Sequence, residues 1–195
     1  MYVDSNYIYT IAAVSGGVIY SFDKVTGAYN STVVTGDGAV SGYGWGNASM
    51  LSFGGGKWWL GAEGSSSGGN IYYSTGGLWT KAFGTVPTIG GDHLDGMEYV
   101  NGAIWTADMT SKFLQKYSLT GTLLGQWEYT GGVNYLEGMG FGALGHFWAG
   151  DGSKMFELGG GNVQESLNTV PEPATMLLFG IGLLGVAGLS RKKHS

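Results

Sequence analysis

The first 161 residues alternate between short apolar or aromatic runs and polar turns that contain glycine. The runs are rich in aromatic and β-branched residues, which is typical of β-strands. No apolar period of 3.6 residues appears before residue 174. The pattern therefore predicts an all-β body of many short strands joined by tight turns.

A repeat organises these strands. Three segments align without gaps: residues 57–63 (KWWLGAE), 102–108 (GAIWTAD) and 145–151 (GHFWAGD). Their bulky position recurs at Leu60, Trp105 and Trp148, at intervals of 45 and 43 residues. A methionine-containing strand is predicted before each segment, at residues 49–53, 96–99 and 138–141. A further strand is predicted after each, at residues 70–73, 113–117 and 154–157.

Two of these units also have a fourth predicted strand, at residues 78–83 and 122–127. A looser copy covers residues 7–34, and its front strand is expected to lie before Met1. Four short strands in a unit of this length are the arrangement of a β-propeller blade, and the count amounts to about three and a half blades. A compact β-sandwich of the same strands is the alternative.

The order of these motifs resembles that of NHL-like and lactonase-like β-propellers, and the resemblance covers residues 1–161. It implies the fold class and no activity. A closed propeller has about four to eight blades, so this partial ring predicts that an N-terminal portion is missing. The first residues point the same way, because neither a basic segment nor a long apolar run of a signal peptide follows Met1.

Composition narrows the classes of partner. Glycine accounts for 39 of the 195 residues and aromatic residues for 14%, which fits short strands joined by glycine turns. Residues 1–169 contain six Lys and 13 Asp or Glu, a net charge of −7. An acidic body without a basic cluster is a poor partner for nucleic acid or anionic lipid. The absence of cysteine excludes disulfides, thiolate metal sites and cysteine nucleophiles.

An acidic residue ends each aligned segment, at Glu63, Asp108 and Asp151. Carboxylates at one position of successive blades are candidate ligands for a divalent cation. In the competing interpretation, each accepts hydrogen bonds from the backbone of its own turn, a common role of Asp after a strand. A turn recurs in every repeat whereas a metal site seldom uses every repeat, so the turn is favoured and no cofactor is expected.

Asp95 and Glu137 form a second repeated pair of acids, and His93 lies close to the first. Paired carboxylates carry out glycoside hydrolysis, and histidine suits acid–base chemistry. A structural role between blades explains equivalent positions more simply. The Glu, Asn and Asp that hold the metal of lactonase-like propellers have no matching set here. We therefore predict no enzyme, with an exported hydrolase or lactonase that uses the repeated carboxylates as the alternative.

Two aromatic pairs are candidates for glycan contact: Trp58 with Trp59, and Tyr72 with Tyr73. Aromatic faces stack on sugar rings, but strand alternation turns one member of each pair inward. Core packing is the favoured interpretation of both pairs.

The last 26 residues differ from the body. Residues 174–190 carry no charge, and these 17 residues would form a helix of about 25 Å, at the short end of what crosses a bilayer. The flanking residues are Val170, Pro171, Glu172 and Pro173 before this span and Arg191, Lys192 and Lys193 after it. This order of parts resembles the PEP-CTERM sorting signal of Gram-negative bacteria.

The resemblance implies that exosortase, a membrane-embedded enzyme, recognises and processes the tail; an anchor that is never cut is the alternative. The prolines keep the recognition segment extended, and the basic cluster stays cytoplasmic, which places the body in the periplasm. We expect a repeat domain at residues 1–161, a linker at 162–169 and the sorting signal at 170–195. The predicted protein is exported and non-enzymatic. It passes through the inner membrane to the cell surface or matrix, with exopolysaccharide or matrix glycans as candidate partners.

Overall fold

The computed structural model describes residues 1–12, 16–35, 48–62, 68–86, 93–141, 146–158 and 163–165. In these ranges the strands form four antiparallel sheets, named blades 1 to 4. Blade 1 contains β1 (Tyr2–Val3), β2 (Tyr7–Ala12), β3 (Val18–Asp23) and β4 (Tyr29–Val34), and blade 2 contains β5 (Ala48–Gly54), β6 (Lys57–Ala62), β7 (Asn70–Ser74) and β8 (Thr80–Gly84). Blade 3 contains β9 (Leu94–Val100), β10 (Ala103–Asp108), β11 (Phe113–Ser118) and β12 (Leu123–Tyr129), and blade 4 contains β13 (Glu137–Phe141), β14 (Phe147–Gly150) and β15 (Met155–Leu158). One more strand, β16 (Val163–Glu165), belongs to the sheet of blade 3.

The first strands of successive blades pack against one another. Strand β5 contacts β1 and β2, β9 contacts β5, and β13 contacts β9. This is the arrangement of a β-propeller and not of two facing sheets, so the all-β propeller prediction is confirmed over the β-sandwich. Strand β1 is the front strand of blade 1, with Tyr2 opposite Tyr9 and Val3 opposite Ile8. The expectation that this strand lies before Met1 is therefore wrong, and the described residues form four blades.

Two-residue turns join the first two strands of blades 2 and 3. Both turn residues have positive φ, at Gly55 (61°) and Gly56 (72°) and at Asn101 (49°) and Gly102 (80°). A two-residue hairpin of this kind matches the right-handed twist of its strands and needs positive φ at both positions, which Asn-Gly and Gly-Gly tolerate best. These dipeptides therefore set the register of both hairpins.

The strand pairing in blades 2 and 3 corrects the gap-free alignment of residues 57–63 with residues 102–108 by one residue. The pairs that lie next to the two turns are Gly54 with Lys57 and Val100 with Ala103. Counted from these pairs, Ala62 in blade 2 corresponds to Asp108 in blade 3, whereas the gap-free alignment placed Glu63 there. A shift of one residue moves a side chain to the opposite face of a sheet. Leu60 and Trp105, which share a column in the gap-free alignment, therefore lie on opposite faces of their blades: Leu60 faces blade 1 and Trp105 faces blade 4.

Apolar side chains fill the spaces between consecutive blades. The cluster between blades 1 and 2 contains Ile19, Val34, Leu51, Trp58, Leu60 and Trp79. The cluster between blades 2 and 3 contains Met50, Trp59, Ile71, Met97, Ile104 and Tyr117. The cluster between blades 3 and 4 contains Ala107, Leu114, Tyr129, Val133, Leu136 and Ala149. Each blade alone is too thin to bury these residues, so stacking of blades supplies the core.

A hydrogen bond also joins blades 1 and 2. The indole Nε1 of Trp79 donates to the carbonyl oxygen of Gly17 at 2.8 Å, and Trp79 is only 4% exposed. Gly17 has a φ of +81°, and a Cβ atom there would lie 2.6 Å from Nε1. The close approach of the indole therefore requires glycine at this position.

Strand β16 falls within the predicted linker. It adds to the outer edge of blade 3, where Val163 pairs with Tyr129 and Glu165 with Trp127. Residues 166–195 lie outside the described residues, and so does the predicted membrane span at 174–190. None of the described residues belongs to a helix of the length and hydropathy that a bilayer span requires.

Candidate functional site

The predicted sorting and membrane-stop residues lie outside the described residues: Val170, Pro171, Glu172, Pro173, Arg191, Lys192 and Lys193. The acidic candidate Glu63 also lies outside them. The structure therefore places Asp108 and Asp151 of the acidic column, together with the second pair of acids and the aromatic pairs.

Asp108 ends β10 and is 4% exposed. Its Oδ1 accepts hydrogen bonds from the backbone N–H of Thr110 at 2.8 Å and from the Thr110 hydroxyl at 2.7 Å. Its Oδ2 accepts a third from the backbone N–H of His93 at 3.1 Å. Asp108 therefore closes its own turn and fixes the chain that enters blade 3.

Asp151 has the same role in blade 4. Its Oδ1 accepts from the Ser153 hydroxyl at 2.9 Å and from the backbone N–H groups of Ser153 at 3.0 Å and Lys154 at 2.8 Å. The bonds from Ser153 and Lys154 hold the pKa of Asp151 below its usual value. The turn interpretation is confirmed for both aspartates. Within the described ranges, no three His, Asp or Glu side chains lie close enough together to hold a metal ion.

The second pair of acids lines two neighbouring depressions, both of which include Gly138. Asp95 lines a cavity at the propeller axis, whereas Glu137 lines an open trough on blade 4. Paired carboxylate chemistry needs both groups around one substrate bond.

Three of the four residues in the aromatic pairs belong to the core. Trp58, Trp59 and Tyr72 are 7%, 1% and 6% exposed, which confirms core packing for them. Tyr73 is half-buried, and the Lys57 amino group lies 4.3 Å from the centre of its ring. A sugar ring cannot stack on the three buried rings.

The cavity at the propeller axis has a volume of about 120 Å³. Its lining comes from Met1 and from the first strands of blades 2, 3 and 4, and includes Met50, Asp95, Met97, Gly138 and Met139. The sequence analysis grouped the three strands and their methionines but predicted no cavity between them. A space of this size holds a few water molecules or a small ligand.

A half-buried carboxyl on β9, that of Glu98, is the group that the sequence analysis missed. The Ser52 hydroxyl donates to Oε1 of Glu98 at 2.6 Å and accepts from the backbone N–H of Tyr99 at 3.0 Å. Burial raises the pKa of Glu98 to about 7, although the Ser52 hydrogen bond and the charge of the Met1 amino group act in the opposite direction. An acidic residue between Met97 and Tyr99 marks this position in the sequence, although it does not by itself indicate burial.

Blade 4 has an open side, which we call its outer face and define by Gly140, Trp148, Gly150, Met155 and Glu157. Pairing across the blade places Trp148 between Gly140 and Glu157, and Gly150 opposite Met155. The intervening residues Ala149 and Phe156 point the other way, into the core shared with blade 3. Trp148 is 36% exposed and Met155 72%. A shallow surface depression of about 490 Å³ lies beside Gly150 and Met155 of this face, and its lining also includes Glu137, Gly138, Gly152, Ser153 and Lys154.

The tail matches a known signal. Residues 169–192 match the model of the PEP-CTERM protein-sorting motif. The chain carries this motif. Its presence indicates an exported protein that exosortase handles at the membrane. The match covers the tail and leaves the body unassigned, and no curated protein matches the sequence.

Solved structures resemble the body at the level of fold. Streptogramin B lyase aligns with a TM-score of 0.53 and 15% identity, over 89% of this chain and 54% of its own. Glutaminyl cyclase from Myxococcus xanthus aligns with a TM-score of 0.54 and 16% identity, over 84% of this chain and 71% of its own. The chain thus spans about half the length of the lyase. Identities this low establish a shared propeller fold and no shared activity.

Proposed function

We infer that this chain is an exported, non-enzymatic protein of the cell surface or extracellular matrix, and that exosortase removes its C-terminal span. The observation that carries the proposal is the match of residues 169–192 to the PEP-CTERM motif. In the body, Asp108 and Asp151 are engaged by their own turns, which argues against their use as catalytic groups or metal ligands.

The tail acts in three steps in this proposal. Residues 174–190 enter the inner membrane, and Arg191, Lys192 and Lys193 stay on the cytoplasmic side, which leaves the body in the periplasm. The segment from Val170 to Pro173 stays extended at the outer surface because of its prolines. Exosortase then cuts the tail there and releases the body from its transient anchor.

Substitution of Glu172 tests the recognition step. We expect Glu172→Ala, or deletion of residues 191–193, to accumulate full-length precursor in the inner membrane at the expense of surface protein. Glu165→Ala is the matched control, since it removes the same side chain outside the matched segment. Immunoblots of fractionated cells measure both pools. Normal processing of Glu172→Ala would contradict the assigned recognition role.

A second candidate is an exported hydrolase or lactonase, and Glu98 is the observation that favours it. A carboxyl whose pKa lies at about 7 is suited to general acid–base catalysis near neutral pH. The alternative predicts hydrolysis of lactones or glycosides by the purified chain, abolished by Glu98→Gln or, for a metal-dependent reaction, by Asp108→Ala with loss of bound metal. Absence of hydrolysis by the native chain leaves the non-enzymatic proposal in place, whereas hydrolysis that both variants retain would contradict it and assign catalysis to other residues.

A further inference from the structure

We propose that one end of the body docks on the lipid surface of the inner membrane while the tail still spans that membrane. This hairpin end is defined by the turns at residues 4–6, 24–28, 55–56, 75–79, 101–102 and 119–122. Exposed aliphatic side chains at its turn tips enter the headgroup region of the bilayer. The inference rests on the proposed function and adds an interaction surface to it.

The first strands of blades 1 to 3 run in the same direction, so these turns share one end of the body. Neighbouring first strands advance together, as four pairs of residues that touch or line one cavity show: Met1 with Met50, Tyr2 with Phe53, Met50 with Asp95, and Ser52 with Glu98. Within each blade the strands are antiparallel and consecutive. The turn between the third and fourth strands therefore lies at the same end as the turn between the first and second.

An exposed aliphatic side chain occurs in the turn between the third and fourth strands of each of these blades. Val25, Leu78 and Leu119 are 93%, 66% and 36% exposed. Blades 1 and 3 use the same sequence pattern, an aliphatic residue followed by Thr and Gly, at residues 25–27 and 119–121. Single exposed apolar residues are common on protein surfaces, but their recurrence in three consecutive blades places three of them at one end.

Charge does not oppose contact between the hairpin end and a bilayer. The charged residues beside its turns include two acids and two lysines: Asp4, Asp23, Lys24 and Lys57. Both acids accept hydrogen bonds from their own turns. Asp95 and Asp108 lie at the opposite end of blade 3, on the far side from the membrane in this orientation. Docking therefore depends on apolar contact and not on anionic lipid.

The path of the tail brings the bilayer to the hairpin end. Strand β16 runs antiparallel to β12, from Val163 opposite Tyr129 to Glu165 opposite Trp127, and therefore toward the turn at residues 119–122. The sorting motif begins at residue 169, which the chain can separate from Glu165 by at most about 14 Å. The uncharged span begins at residue 174, at most about 32 Å from Glu165. A span in the inner membrane thus holds this end of blade 3 near the bilayer surface.

A lipid surface suits separate turn tips better than a protein partner does. Each tip has one aliphatic side chain beside Thr or Gly, and the three tips belong to three blades. A protein interface concentrates its energy in a central, closely packed cluster, whereas lipid headgroups separate around each side chain independently. Docking keeps residues 170–173 at the membrane surface, where exosortase acts in the proposed function.

Fluorescence quenching of the full chain in vesicles tests the docking. The chain has no cysteine, so Thr120→Cys accepts a single fluorophore beside Leu119. Thr110→Cys is the matched control, because it replaces another exposed threonine in a turn at the opposite end of the same blade. The vesicles consist of phosphatidylcholine with a nitroxide-labelled lipid, and they contain no exosortase. We expect strong quenching of the label at residue 120, unchanged by high salt, and none at residue 110.

Serine substitutions test the aliphatic contacts. Val25→Ser combined with Leu78→Ser, in the chain labelled through Thr120→Cys, should lower the ratio of docked to undocked body about tenfold. Val86→Ser removes an exposed aliphatic side chain at the opposite end of blade 2 and should leave this ratio unchanged.

Three results would overturn the inference: equal quenching at the two labels, no quenching at either, or full quenching after the double substitution. Absence of quenching would also be the result if the hairpin end binds exosortase and not lipid. The proposed function is tested separately, by removal of the tail in cells. A chain that is processed normally but shows no quenching at residue 120 retains the sorting function and lacks only the docking surface.

Discussion

At the scale of single residues, tertiary contacts decide which acidic side chains have a raised pKa. The turn roles of Asp108 and Asp151 were predictable, because an Asp directly after a strand commonly caps the following turn. The environment of Glu98 could not be predicted in this way, because its hydrogen-bond partner Ser52 lies 46 residues away in the sequence. Burial arises only when blade 2 packs against blade 3, and no local pattern encodes that contact.

The pH dependence of stability tests the environment of Glu98. In the native state the Glu98 carboxyl keeps its proton up to about pH 7, whereas an unperturbed Glu carboxyl loses its proton near pH 4.5. The free energy of unfolding should therefore be larger below pH 4.5 and fall as the pH rises to about 7. We expect a loss on the order of 5 °C in melting temperature across this window.

Glu98→Gln should flatten this slope, because the amide oxygen still accepts from Ser52 but carries no charge. Two neighbouring groups, the Met1 amino group and the Tyr2 phenol, interact electrostatically with Glu98, so the difference between variant and native profiles isolates the carboxyl. Glu128→Gln, on the surface beside Lys112, is the control and should keep the native profile. An unchanged slope in Glu98→Gln would show that Glu98 is not the group that titrates.

At the scale of elements, the pattern of apolar runs predicted the strands, and pairing corrected their register. The units containing residues 57–63 and 102–108 look alike without gaps, but Gly55-Gly56 and Asn101-Gly102 set the pairing, which shifts the alignment by one residue. Strand β16 was not predicted, because a polar segment joins a sheet edge through backbone hydrogen bonds that leave no apolar pattern. The outer face of blade 4 was also missed, since the exposure of Trp148 depends on the face that its register selects.

Two glycine substitutions test the contact between blades 1 and 2. Gly17→Ala should cost about 3 kcal/mol of unfolding free energy, because it adds a clash with Trp79 and disturbs the hydrogen bond to the Gly17 carbonyl. Gly27→Ala is the matched control: its φ is also positive, at +72°, but a Cβ there meets nothing within 4 Å. It should cost about 1 kcal/mol from backbone strain alone. Urea unfolding monitored by tryptophan fluorescence measures both, and equal losses would contradict the proposed packing role of Trp79.

At the scale of the whole molecule, a propeller body and a sorting tail are encoded by separate signals. The repeat predicted the propeller because each unit needs a neighbouring blade to cover its faces. The tail was recognised from the order of its parts, and the match to residues 169–192 confirms that recognition. Side chains of different blades come together only through blade packing, which is why the sequence alone could not define a binding site in the body.

The C-terminus of the mature protein tests the central claim most directly. Intact-mass spectrometry of protein recovered from the surface of the producing cell, with an exosortase-deficient strain as the comparison, gives this end of the chain. We predict a mature form that ends before the span at residues 174–190 and a strain without exosortase that retains Ser195. Surface protein that ends at Ser195 in both strains would contradict the account.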